Sequence, residues 1–84
     1  MTLLKRIYDV LKFQRYLKTT KEHSCWKYDY ELYLYEDFTC GCYWLYINES
    51  EDLYRLFYKG QLISKNKKKI IEYSDIIKQK MGLK

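Results

Sequence analysis

Apolar positions along the chain change their period twice, and each change marks a boundary between helix and sheet. Leu3, Leu4, Ile7, Val10, Leu11 and Leu17 recur at helical spacing, which predicts a helix over residues 3–18 with Thr2 as its cap and this stripe as its buried face. Lys5, Asp9, Lys12, Arg15 and Lys18 fill the rest of its surface. After a polar connection the period drops to two. Trp26, Tyr28, Tyr30, Leu32 and Leu34 alternate with Lys27, Asp29, Glu31, Tyr33 and Tyr35, which predicts one strand over 25–36. The turn then falls on Glu36-Asp37-Phe38-Thr39 with Gly41. A second strand over 41–48 is apolar on both faces, as a central strand is. An acidic turn, Asn48-Glu49-Ser50-Glu51-Asp52, leads into a third strand over 53–58.

Lys59-Gly60 can close a two-residue hairpin turn, with Gln61-Leu62-Ile63 as a short fourth strand. Ser64 is placed to cap a last helix over 66–81, whose apolar stripe is Ile70, Ile71, Tyr73, Ile77 and Met81 and whose stop is Gly82. The expected fold is α+β: one domain over residues 1–84, in the order α-β-β-β-α. A three-stranded antiparallel meander carries both helices on one face. On that arrangement the Trp26 side of the sheet meets the helices. The opposite side presents Asp29, Glu31, Tyr33 and Tyr35, then Cys42, Trp44 and Tyr46, then Arg55, Phe57 and Lys59.

Composition narrows the function classes. The 84 residues contain no proline and no alanine, and lysine outnumbers arginine thirteen to three. Codons for Lys, Ile and Tyr are AT-rich, so the usage implies an AT-rich genome, in the style of small bacteriophage and mobile-element proteins. Three cysteines, an odd number, suit a reducing compartment better than a disulfide scaffold. The longest apolar run, Cys42 to Ile47, is too short to span a bilayer. The basic, interrupted start lacks the continuous apolar stretch of a secretory signal. A cytoplasmic protein with no membrane partner is expected.

Charge is laid out in blocks. Residues 1–21 carry six basic side chains and one acid, residues 22–54 one and eight, and residues 55–84 nine and two. Such asymmetry bears on partners more than on fold.

Chemistry is sparse. One histidine and the absence of a phosphate loop, nucleophile elbow or zinc-protease motif give catalysis no foothold, so no enzyme and no cofactor are expected. His23, Cys25, Cys40 and Cys42 are zinc-type ligands. With strand 25–36 paired to strand 41–48, however, the two pairs would lie about 30 Å apart at ~3.3 Å per residue, so no metal is expected.

Two readings of the surface remain. In the first, Asp29, Glu31, Tyr33, Tyr35, Trp44, Tyr46 and Phe57 form an aromatic and acidic sheet face for a protein partner, since Tyr and Trp dominate binding hot spots. In size and element order the chain is similar to small inhibitors of CRISPR effectors. That likeness implies a phage-encoded inhibitor that occludes a host nucleoprotein. A second copy of the chain is an alternative partner.

In the second reading, Lys5, Lys12, Lys18, Lys65, Lys67, Lys68 and Lys69 contact nucleic acid without reading its sequence. A helix, three strands and a helix opening on Ser64-Lys65-Asn66-Lys67-Lys68-Lys69 resemble a double-stranded-RNA-binding domain. The resemblance implies lysines of the second helix set across phosphates. The chain departs from that family in its acidic hairpin loop, Glu36-Asp37-Phe38-Thr39, and in lacking a glycine-rich approach to the second helix.

Overall fold

A computed structural model describes residues 3–19, 26–37 and 42–82. Helix α1 (Leu3–Thr19) is followed by strands β1 (Trp26–Asp29), β2 (Leu34–Asp37) and β3 (Tyr43–Asn48). A 3-10 turn (Glu49–Glu51), β4 (Leu53–Tyr58), β5 (Gln61–Ser64) and helix α2 (Lys67–Met81) complete the order. The strands form one antiparallel sheet in sequence order. The α+β class, the helix at each end and the meander are as expected, and the short strand after Lys59-Gly60 is present. The strand count is five.

The extra strand comes from the segment expected to be one long strand. Residues 25–36 break at residues 30–33, and β1 folds back on β2 with Trp26 opposite Asp37 and Tyr28 opposite Tyr35. Asp29 makes this turn: its Oδ1 accepts hydrogen bonds from the backbone N–H of Glu31 (2.9 Å) and Leu32 (3.1 Å). That is how aspartate initiates a turn without glycine or proline. Tyr33 closes the turn in the left-handed region at φ 56°, and its carbonyl accepts from Ile47 N–H at 3.0 Å. The reversal exchanges the parity of the inward side chains, which are even-numbered in β1 and odd-numbered in β2.

Both helices pack on the face that carries Trp26. Phe13 and Leu17 of α1 and Ile70, Tyr73 and Ile77 of α2 join Trp26, Tyr35, Tyr43, Leu45, Tyr54, Leu56 and Ile63 in one core. Phe13 is its hub, fully buried, with its ring centroid 4.7 Å from Tyr43, 5.1 Å from Tyr73 and 6.4 Å from Trp26. Burial of this apolar surface is the main term holding helices to sheet.

The stripe expected to be the core face of α1 is a correction. Leu4 and Leu11 are 79% and 55% exposed, and Leu3 and Ile7 are exposed as well. Asp9, expected at the surface, is only 2% exposed. Alpha1 is apolar on two sides, and the side holding Phe13 and Leu17 is the one that seats on the sheet. Asn66, not Ser64, caps α2: its Oδ1 accepts from Lys69 N–H at 3.1 Å. Gly82 ends that helix at φ 80°, a conformation that favours glycine.

Candidate functional site

The sheet face away from the helices can be written as rows of paired residues. One row runs Lys27, Glu36, Trp44, Phe57, Leu62; the next runs Asp29, Leu34, Tyr46, Arg55. No described helix covers these rows. Trp44 sits in the middle strand, 38% exposed, and Tyr46, Phe57, Leu34 and Leu62 are half-buried. An open antiparallel face is ordinarily polar, so an aromatic and aliphatic centre with a charged edge is notable as a contact surface. Trp44, Tyr46 and Phe57 are therefore where the alternation pattern places them.

Of the other four residues of that expected surface, Asp29 stays at the edge of the open rows, opposite Leu34, and three lie elsewhere. Tyr35 is only 5% exposed and packs on the helix side, because the turn at residues 30–33 reverses its parity. Asp29 is committed to the turn by its two backbone hydrogen bonds. Glu31 is exposed within that turn and Tyr33 closes it. The charged side chains of the open rows are Lys27, Arg55, Asp29 and Glu36, which balance, so the face itself is not acidic. The acidic groups gather at one end of the sheet instead, with Glu31 in one turn and Glu49, Glu51 and Asp52 in and after the 3-10 turn.

At that same end a cleft of about 510 Å³ opens between the residues 30–33 turn, the 3-10 turn and α2. Tyr28, Tyr33 and Tyr35 line it, together with Glu49, Asp75 and Lys78. Tyr28 and Tyr35 meet with ring centroids 4.5 Å apart, and Tyr30 packs edge-on against Tyr28 at 4.8 Å. Burial pushes the Tyr35 hydroxyl up to about 12, helped by Tyr28 and by the Asp75 carboxylate. Burial also raises Tyr28, with smaller contributions from Tyr33 and Tyr30. The hairpin brings the four tyrosines together; the density of tyrosine between residues 28 and 35 was the signal for it, and the part played by Glu49, Asp75 and Lys78 had none.

The lysines do not form one stripe. Lys67 is bonded to Asp52 at 2.9 Å and lies over the Tyr54 ring, and Lys69 pairs with Glu72 at 3.8 Å. Lys12 reaches the Tyr58 hydroxyl at 3.4 Å, which raises its pKa, and with Lys5 it borders a cleft beside Tyr58. Lys18 and Lys69 flank a groove between the helices, and Lys65 borders another between α1 and β5. Lys68 is exposed on α2. With five strands between the helices, the element order also departs from that of a double-stranded-RNA-binding domain.

Of the zinc-type ligands, His23, Cys25 and Cys40 lie outside the described residues, as do Thr2 and the turn residues Phe38, Thr39 and Gly41. The pairing from which the 30 Å separation was reckoned is not the one observed, which sets Trp26 opposite Asp37 and Glu36 opposite Trp44. Among the described residues no group of three or more metal-ligating side chains is assembled. No helix among them is long and apolar enough to cross a membrane. Comparison with protein-family models, with curated proteins and with solved structures gives no match.

Proposed function

We propose that the chain is a non-enzymatic protein-binding module that docks through the open sheet face centred on Trp44, Tyr46 and Phe57. Its specific form is a phage- or mobile-element-encoded inhibitor that occupies the nucleic-acid groove of a host effector, in the manner of CRISPR inhibitors. The carrying observation is an aromatic centre on a sheet face that neither helix covers. A desolvated aromatic centre inside a polar rim is the anatomy of protein interfaces. The acidic turns at one end of that face would meet the cationic walls of such a groove. Direct nucleic-acid binding is the weaker reading, because Lys12, Lys67 and Lys69 already hold partners within the chain.

Affinity capture from host lysate, with and without nuclease, tests the reading. A partner retained after nuclease and lost with Trp44→Ala is expected. Truncating a central aromatic of an interface costs about 2 kcal/mol or more, roughly thirtyfold in affinity. Capture that vanishes with nuclease, together with a steep loss of affinity in salt, would move the function to the lysines.

A further inference from the structure

The tyrosine cleft is a second site, separate from the open sheet face. Three observations define it. Its walls include the aromatic side chains Tyr28, Tyr33 and Tyr35, with Ile47 and Ile71 beside them, around about 510 Å³ of space. Tyr35 is 95% withdrawn from solvent, yet its side chain lines the cleft. Glu49 and Asp75 are exposed residues on the lining with no ion-pair partner among the described residues, so neither charge is offset by a bonded cation. Lys78 is the single cation on the lining, one against two.

Aromatic rings attract cations through the negative potential of their faces, and the attraction grows when the site is withdrawn from water. Carboxylates on the lining add a Coulomb term of the same sign. An anion would meet ring faces and two like charges, and a neutral apolar ligand would leave the Tyr35 hydroxyl and both carboxylates unused. We infer that this cleft binds an organic cation, an ammonium or guanidinium group about the size of an arginine head, seated against Tyr28, Tyr33 and Tyr35 and paired with Glu49 and Asp75. Such a group comes either as a free small molecule or on the side chain of a basic partner.

The full chain, labelled for NMR, is titrated with tetramethylammonium chloride and with N-acetyl-arginine amide. N-acetyl-citrulline amide, the neutral analogue, and sodium chloride at matched ionic strength are the controls. Saturable shifts confined to Tyr28, Tyr33, Tyr35 and their neighbours are expected from the cations and not from the controls. Binding of the arginine derivative in preference to tetramethylammonium assigns the cation to a partner's side chain; the reverse order assigns it to a free alkylammonium.

The double variant Glu49→Gln, Asp75→Asn, with both changes at exposed positions, is expected to weaken binding about tenfold. Lys78→Gln is expected to strengthen it about threefold by removing the one repulsive charge. Equal shifts with citrulline amide, no saturable shift with either cation, or weaker binding in Lys78→Gln would each overturn the assignment. Trp44→Ala is expected to leave these titrations unchanged. A failure of the sheet-face reading and a failure of the cation site are thereby told apart.

Discussion

Phe13→Ala against Leu4→Ala on the same helix is the sharpest test of how α1 is seated. Phe13 is fully buried and touches aromatic rings from β1, β3 and α2. Its truncation removes an entire ring and leaves a cavity that two helices and a sheet share, a loss of about 3–5 kcal/mol. A domain of this length has a total stability of about 4–13 kcal/mol, so the variant should lose a large share of it. Leu4 is 79% exposed, and its replacement by alanine should change stability by less than about 0.5 kcal/mol. Urea titration followed by far-ultraviolet circular dichroism measures both. A Leu4 variant as damaged as the Phe13 variant would mean that the helix is rotated by half a turn, with the leucine stripe inward, and the packing described above would be wrong.

Alkaline pH should expose Tyr35. Its hydroxyl is held neutral up to about 12 in the fold, whereas an unfolded tyrosine ionises near ~10. Its contribution to stability is therefore complete below about pH 10 and is lost as pH rises from there towards about 12. Thermal melts should show Tyr35→Phe with a shallower fall across that window, and an identical profile for the variant would count against the burial of the hydroxyl. Tyr33→Asn should keep or raise the denaturation midpoint, since asparagine tolerates the left-handed backbone that costs other side chains about 1–2 kcal/mol. The same variant should weaken cation binding. A clear drop in its midpoint would show that the Tyr33 ring, rather than its backbone, holds the turn.

The sequence was most informative where one structural rule acted alone. Strands β3 and β4 are apolar on both faces but run unbroken, so the period of two still fixes which residues share a face: Tyr43 with Leu45, Tyr54 with Leu56, and Trp44 on the side opposite Leu45. The α2 stripe of Ile70, Tyr73 and Ile77 reads just as directly, although Ile71 lies outside it. Alpha1 was ambiguous because leucine and isoleucine surround it, and periodicity ranks faces only when one of them is polar. The aromatic partners that select the Phe13 side come from β1, β3 and α2, far away in sequence. At Tyr30-Glu31-Leu32-Tyr33 two rules competed. Alternation continued straight through, while Asp29 signalled a turn, and the turn prevailed because it lets β1 pair with β2. Two residues of the expected contact surface, Tyr33 and Tyr35, moved with it from the open face to the cleft.

That turn also governs which changes of chain length the protein can absorb. Beta1 and β2 present opposite parities to the helices, and a strand slipped by one position turns every side chain over. Losing or gaining one residue between Asp29 and Leu34 would direct Leu34 and Glu36 toward Trp26 and expel Tyr35 and Asp37, which are 5% and 1% exposed. Losing or gaining two would preserve the facing. Among descendants of this chain, the spacing between Tyr28 and Tyr35 should vary in even steps.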